Sequence, residues 1–391
     1  MKYPYACPDV VQADIDLVAA AMRGQFLTQG PRLAEFEVAL ADKFGVRHVV
    51  VCNSGTAALH LVYMALGLGP QAGLVTSPIT FVATANAARM CGAPVAFADT
   101  DPQTGNLTPE TAERALGAAP FDVGVLTAVH LGGRPCDMPA LKAIAERTGC
   151  ALIEDACHAP LAAYQDDSGE PFTVGACAHS DAAVFSFHAI KHLAMGEGGA
   201  VCTNDDMIAE KARRLRNHGL SRSPEDWQYP PEPDAPWYYE MQVLGWNYRA
   251  CELQCALGLS QLARLDDGIV RRQVIAAAYR ERLAGLPYVA TPPEASVMGG
   301  HVWHLYAIAA DFDAIGRTRG QVMRTLAARG IGTQVHYIPV YRQPYYAGAA
   351  PGSYPGAEAY YASTLSIPMY PRLTERDLDE IVAALEQALA A

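Results

Sequence analysis

An α/β fold, with a mostly parallel sheet covered by helices and a smaller α+β unit following it, is predicted for this chain of 391 residues by three observations. Short β-branched runs alternate with amphipathic stretches through the first two-thirds of the chain, the pattern of a sheet buried on both faces. After about residue 250 the pattern mixes strands and helices without that alternation, so two units are expected, 1–250 and 251–391. Hydrophobic residues make up 51% of the chain and charged residues 18%, enough to bury a sizeable core and far from disordered or fibrous compositions.

The elements follow in order. Seven runs read as strands: His48–Asn53, Gly73–Ser77, Pro94–Ala98, Val123–His130, Ala151–Asp155, Ala183–His188 and Ala200–Thr203. Between and after them lie helical patterns at Thr56–Leu68, Thr80–Cys91, Pro109–Leu116, Met138–Thr148 and Asp206–Asn217. Thr108 before Pro109 supplies an N-cap and a proline at the first helical position. Ser221–Pro236 carries Pro224, Pro230, Pro231, Pro233 and Pro236 and reads as a long loop, of a length that is often functional. Beyond it, Glu252–Asp266, Val270–Leu283, Gly320–Ala328 and Thr374–Leu389 read as helices, and Val302–Ala309 and Gly332–Ile338 as strands.

Charge excludes several classes of function. With 29 basic and 41 acidic residues the net charge is −12, a field that repels nucleic-acid backbones and anionic membrane surfaces. Lys211–Arg216, the longest basic cluster, is interrupted by apolar residues at helical spacing and suits a solvated helix face. No run is long and apolar enough for a transmembrane helix, and Met1–Tyr5 lacks the apolar core of a signal peptide, so a cytoplasmic protein is expected. The ten cysteines contain no Cys-x-x-Cys pair and read as reduced thiols rather than disulfides or metal ligands; no metal is expected.

Three places carry chemistry. Ser54, Gly55 and Thr56 sit where a strand ends and a helix begins; such a helix start can cradle a phosphate, or can be an ordinary N-cap and tight turn. Asp155 closes an apolar strand at the carboxyl edge of the sheet, where it can hydrogen-bond a protonated heterocycle with His158 beside it, or can form a buried structural pair. Lys191 comes directly after the apolar strand Ala183–His188 and precedes the glycine-rich Gly196–Gly199. Desolvation there would make its amine a nucleophile for Schiff-base formation, unless it is a strand-end lysine reaching solvent. Anchor, ring partner and amine together are what pyridoxal 5'-phosphate requires.

These residues lie in longer strings: FLTQGP at Phe26–Pro31, NSGTAAL at Asn53–Leu59, SPITFVATANA at Ser77–Ala87, EDACHA at Glu154–Ala159, SFHAIKHLAMGEGGAV at Ser186–Val201 and LGWNYR at Leu244–Arg249. Through them the chain resembles, nearly end to end, the DegT/StrS group of pyridoxal-phosphate sugar aminotransferases. The resemblance implies a fold-type I transferase: a large unit with a mostly parallel seven-stranded sheet and a smaller α+β C-terminal unit. It implies that Lys191 holds the cofactor as a Schiff base and that Asp155 pairs with its pyridine nitrogen. Phe81 would stack on the ring, His158 would lie near its phenolic oxygen, and Ser186 would join Ser54, Gly55 and Thr56 at the phosphate. Asn247 would reach the phosphate of a neighbouring subunit, making a homodimer with shared active sites the expected unit.

Within the group, APWYYEMQVLGWNYR at Ala235–Arg249, CALGLSQL at Cys255–Leu262 and QVHYIPVYRQPYY at Gln334–Tyr346 are similar to the pseudaminic-acid branch. That similarity implies amino transfer from L-glutamate to C4 of a UDP-linked 2-acetamido-2,6-dideoxy-4-keto-hexose. His188, His336, Tyr337 and Tyr341 are the candidate substrate contacts, and aromatic packing at the domain interface is the alternative for the last three. Other UDP- or dTDP-4-keto-6-deoxy sugars, of the perosamine or bacillosamine type, are the rival substrates. The dehydratase branch replaces the lysine with histidine, whereas this chain keeps Lys191. A non-catalytic binding protein of the same fold is the rival from another class. A hydrolase would need a Gly-x-Ser-x-Gly elbow that the sequence lacks.

Overall fold

Valine, isoleucine and alanine runs with no polar face become the centre of the molecule. The computed structural model describes residues 1–295, 297–347 and 352–390. Its strands begin with β1 (His48–Cys52), β2 (Gly73–Thr76), β3 (Val95–Phe97), β4 (Val123–Val129) and β5 (Ala151–Asp155). A hairpin, β6 (Ala163–Gln165) and β7 (Pro171–Thr173), then leads to β8 (Ala182–Ser186) and β9 (Gly199–Thr203). Seven of these form one sheet in the order β1-β9-β8-β5-β4-β2-β3. Strands β3, β2, β4, β5 and β8 run parallel, and β9 is antiparallel to both β8 and β1. The alternating strand and helix pattern therefore becomes the mostly parallel sheet expected.

Helices cover both faces because successive strand residues point to opposite sides. Two helices precede the sheet, α1 (Gln12–Met22) and α2 (Pro31–Phe44). Helices α3 (Gly55–Ala65), α4 (Ala83–Met90), α5 (Pro109–Ala118), α6 (Met138–Thr148) and α7 (Asp206–Arg216) fill the connections. Val49 and Val51 of β1 pack into a core with Phe36 and Leu40 of α2 and Leu141 of α6, while Val50 and Cys52 pack with Leu59 and Val62 of α3 and Ala212 of α7.

The α2 helix was not legible in the sequence, and its start is held from a distance. Buried Glu252 accepts the amides of Gly30 (3.1 Å) and Arg32 (2.9 Å), which satisfies first-turn donors that a helix cannot satisfy itself. The predicted long loop lies between β10 (Leu220–Ser221) and β11 (Glu240–Met241) and contains one 3-10 turn at Pro224–Asp226. Next come α8 (Glu252–Leu262) and α9 (Leu265–Leu283), which break at Ala263–Arg264 rather than at Asp267–Ile269. Arg264 leaves helical geometry there to meet Asp9 (3.0 Å) and Asp14 (2.7 Å).

A second core lies toward the C-terminus. It is built on a three-stranded sheet of β12 (Val289–Ala290), β13 (Tyr306–Ala310) and β14 (Thr364–Ile367). The helices here are α10 (Phe312–Ile315), α11 (Arg319–Ala328), α12 (Pro355–Ser363) and α13 (Glu375–Ala390). Helix α9 is shared: Leu265 and Ile269 join the large core, whereas Ile275, Tyr279 and Leu283 join Tyr306, Leu365 and Leu385 in the small one.

Two strand expectations need correction. Val302–Ala309 becomes a strand only from Tyr306, because the amides of Val302 and Leu305 are spent on the carbonyls of Gly133 (3.0 Å) and Gly132 (3.2 Å). Gly332–Ile338 is not a strand: it makes one isolated bridge, Gln334 with Ser366, and then leaves the sheet edge toward a proline that has no amide to donate. No helix among the described residues is long and apolar enough to cross a membrane.

Candidate active site

The carboxyl ends of β1, β5 and β8 open on a cavity of about 680 Å³, the place where ligands of open α/β sheets bind. At the end of β1 the Ser54 hydroxyl accepts the amide of Ala57 (3.1 Å) and starts α3. The amides of Gly55 and Thr56, ahead of the first helical bond, find no acceptor among the described residues. They therefore form an anion cradle at the positive end of an eleven-residue helix. Glycine is required in that cradle, because a Cβ on Gly55 would lie 2.8 Å from Cβ of Ser186 at the end of β8. Gly55→Ala is expected to push the helix start and Ser186 apart and to weaken binding of pyridoxal phosphate about tenfold. Fluorescence titration of the apoprotein checks this, and an unchanged affinity would remove the cradle from the site.

Strand β5 ends in two carboxylates that the pleat sends to opposite faces. Glu154 turns into the core, where it meets His130 Nε2 (2.9 Å) and accepts the Ser180 hydroxyl (2.5 Å). Asp155, 6% exposed, lines the cavity. It accepts the Thr84 hydroxyl (2.7 Å) and the Cys157 amide (3.3 Å), and Thr84 is in turn within 2.9 Å of the Thr80 hydroxyl. Those contacts hold the carboxylate in one orientation. Burial and the neighbouring Asp155 push the Cys157 thiol far above its usual pKa, so it stays protonated.

Lys191 leaves β8 on a loop closed by four backbone bonds, including Lys191 to His188 (2.8 Å) and Ala189 to Gly196 (2.9 Å). Its amine lines the cavity and makes no hydrogen bond among the described residues. Burial pushes that amine below its ordinary value of 10.5, against the opposing pull of Cys157 and Asp155. His158 is held neutral, well below its usual pKa, by burial and by the positive charge of Lys191. The Gly132 amide donates to its Nδ1 (3.3 Å), so the neutral ring carries its proton on Nε2, facing the Tyr337 hydroxyl at 3.3 Å. His304 stacks on the same ring with centroids 4.4 Å apart.

Of the other predicted residues, Phe81, Ser186, His188, His336 and Tyr337 all line this cavity with Ser54, Gly55 and Thr56. Phe81 is 60% exposed, an apolar ring face open to the cavity. Tyr341 does not line it, which corrects the expectation of a substrate contact there. Its hydroxyl is spent on Glu358 (2.6 Å) and its ring stacks on Tyr354, with centroids 4.6 Å apart. Asn247 is exposed, outside its own chain's cavity, with its carbonyl 3.4 Å from Asn53 Nδ2. Sequence reasoning passed over Tyr5, Thr80, Thr84, His304, Gln334 and Gln343, which also line the site. Thr80 and Thr84 carried a usable signal, a four-residue spacing on the helical pattern beside Phe81; isolated Tyr5 carried none.

The donor set fits pyridoxal phosphate. There are unpaired helix-start amides for a phosphate, a fixed carboxylate for a ring nitrogen, an exposed aromatic face for the ring, and a desolvated amine for an aldehyde.

The sequence profile of the DegT/DnrJ/EryC1/StrS aminotransferase family matches residues 8–386. The chain is 38% identical to the spore coat polysaccharide biosynthesis protein SpsC of Bacillus subtilis, over 98% of this chain and 96% of that protein. It is 34% identical to the GDP-perosamine synthase of Caulobacter vibrioides, over 98% and 97% of the two chains. Among solved structures it superposes on Helicobacter pylori PseC, an aminotransferase involved in the biosynthesis of pseudoaminic acid. The TM-score is 0.88 at 28% identity, over 100% of this chain and 99% of the other.

Proposed function

The chain belongs to the DegT/DnrJ/EryC1/StrS aminotransferase family, and from that premise we propose that it moves the amino group of L-glutamate to C4 of a UDP-linked 2-acetamido-2,6-dideoxy-4-keto-hexose, a step of pseudaminic acid biosynthesis. It is a pyridoxal-phosphate-dependent sugar aminotransferase of fold type I. The choice of sugar rests on one observation, the end-to-end similarity to PseC. The similarity to GDP-perosamine synthase favours a second reading, in which the acceptor is a GDP-linked 4-keto-6-deoxy sugar.

In this reading the Gly55 and Thr56 amides with Ser54 and Ser186 would hold the cofactor phosphate, Phe81 would offer its ring face to the pyridine, Asp155 would pair with the ring nitrogen, and His158 would serve its phenolic oxygen. Bound pyridoxal phosphate supplies an aldehyde that receives the amino group and an electron sink for the charge left when a C–H bond breaks. Lys191 Nζ, uncharged more readily than a surface lysine because it is buried, takes the proton from Cα of glutamate and later delivers one to C4 of the sugar. The Asp155 carboxylate would hold a proton on the ring nitrogen. Glutamate leaves as 2-oxoglutarate and the keto sugar as an amino sugar. His188, His336 and Tyr337 are left to contact the substrate.

The active unit in this reading is a homodimer in which Asn247 of each copy completes the other's phosphate site. Its surface position and the exposed Trp237, Tyr239, Met241 and Leu244 on the same stretch of chain support that arrangement. A cytoplasmic location accords with ten unpaired cysteines.

The test is a visible spectrum of the holoenzyme. L-glutamate should bleach the cofactor band. Of UDP-, GDP- and dTDP-linked 4-keto-6-deoxy sugars added next, only the UDP-2-acetamido sugar should restore it. Restoration by the GDP sugar alone would replace this reading with the perosamine-type one.

A further inference from the structure

The cavity has walls of different origin. Ser54–Thr56, Thr84, Asp155 and Lys191 belong to the seven-stranded sheet and its connections, whereas Gln334 and His336 come from the segment beside β14. One residue, Tyr5, comes from the N-terminal segment, which is fastened at residues 2, 3 and 5. The amides of Lys2 and Tyr3 donate to Gly330 (2.8 and 2.9 Å), and the carbonyls of Tyr3 and Tyr5 accept the amides of Gly332 (2.7 Å) and Met369 (3.0 Å). The Tyr3 ring is buried in the small core, with its hydroxyl on Asp377 (3.0 Å) and Glu380 (2.7 Å). Glycine is needed at position 332 for this close approach, since a Cβ there would lie 2.9 Å from the Tyr5 amide.

The segment thus presents the Tyr5 ring against His336, with centroids 5.5 Å apart. The Tyr5 hydroxyl has no partner among the described residues. His336 spends Nδ1 on the Ser366 hydroxyl (2.8 Å), which leaves Nε2, and Gln334 spends its carbonyl on the Val335 amide (2.9 Å), which leaves its NH2 group. Burial pushes His336 down to about 3, so its ring is neutral. Three uncharged polar groups with unspent hydrogen-bonding capacity therefore line one cavity. A dicarboxylate such as glutamate calls for cations at that wall. Uncharged donors and acceptors suit the hydroxyl and amide groups of a sugar ring.

We propose that Tyr5 is a specificity-determining residue for the amino acceptor: its hydroxyl, beside Gln334 and His336, hydrogen-bonds the keto sugar and takes no part in the reaction with the amino donor. This rests on the aminotransferase reading above.

The test separates the two half-reactions in holoenzyme carrying Tyr5→Phe, with Tyr5→Ala as the second variant. Bleaching of the cofactor band by L-glutamate should keep its wild-type rate and concentration dependence in both variants. Recovery of the band with UDP-2-acetamido-2,6-dideoxy-4-keto-hexose, or with the GDP-4-keto-6-deoxy sugar if the wild type uses that one, should need about three- to tenfold more sugar in Tyr5→Phe. The shift should be larger in Tyr5→Ala. An unchanged sugar dependence in Tyr5→Phe, or equal losses in both half-reactions, overturns the assignment and leaves Tyr5 as packing for His336. Failure of the wild type itself to bleach with glutamate overturns the aminotransferase reading instead.

Discussion

Lys191→Ala abolishes turnover, by about 10³-fold or more, and borohydride no longer fixes pyridoxal phosphate to the protein. The cradle at Gly55 and Thr56, Phe81 and Asp155 are untouched, so the cofactor still binds, reversibly. A cofactor that borohydride still fixes to the chain would exclude Lys191 as the amine that meets it. The same substitution is expected to raise the stability of the apoprotein at neutral pH. Burial holds the Lys191 amine below 10.5, so its charged form is penalised in the folded chain. That penalty is present in full below the folded value and disappears as pH rises past 10.5. The melting temperature of apo Lys191→Ala should therefore exceed that of the wild type near pH 7, and the gap should close toward high pH.

Lys191→Ala also tests subunit sharing. If Asn247 serves the neighbouring copy, a hybrid of one Lys191→Ala chain and one Asn247→Ala chain has both lesions in one site and none in the other. Mixing the two variants under exchange should recover about a quarter of wild-type activity. No recovery after exchange would place Asn247 and Lys191 in a site of the same chain, and wild-type activity of Asn247→Ala by itself would remove Asn247 from the mechanism.

Asp155→Asn keeps the cofactor and loses about 10²- to 10³-fold in turnover. The asparagine carbonyl can still accept the hydrogen bond that Thr84 now gives to Asp155 at 2.7 Å, so the side chain stays in place while its charge is lost. A neutral partner cannot hold a proton on the ring nitrogen, and the electron sink weakens. Thermal unfolding and cofactor affinity should match the wild type, which separates this effect from damage to the fold. Turnover near normal would sink the ring-nitrogen role of Asp155.

These two residues were legible in the sequence because Asp155 closes an apolar run and Lys191 follows one by a few residues. A strand that ends in carboxylates puts them at the sheet edge whatever else the chain does, and the pleat then assigns Asp155 and Glu154 to opposite faces. The helix start at Ser54–Thr56 is equally local, since its cap and free amides arise within four residues. Tyr341 looked the same in sequence as Tyr337, four positions earlier. Only the fold separates them, by giving one hydroxyl to His158 and the other to Glu358. Gly332–Ile338 read as a strand by composition, and the edge of a three-stranded sheet offered it one bridge.

The sequence by itself determined the seven strands of the sheet, the polar residues at and just beyond their ends, and the family, because periodicity, strand ends and helix starts are set by neighbours a few residues apart. Tertiary structure alone decided which polar groups meet. Thr84 reaches Asp155 across 71 positions, Glu252 caps a helix across 222, and the N-terminal segment carries Tyr5 to His336. Such pairings depend on how two cores pack around a shared helix, and that packing is the sum of many contacts distant in sequence, none of which leaves a mark on the residues beside it.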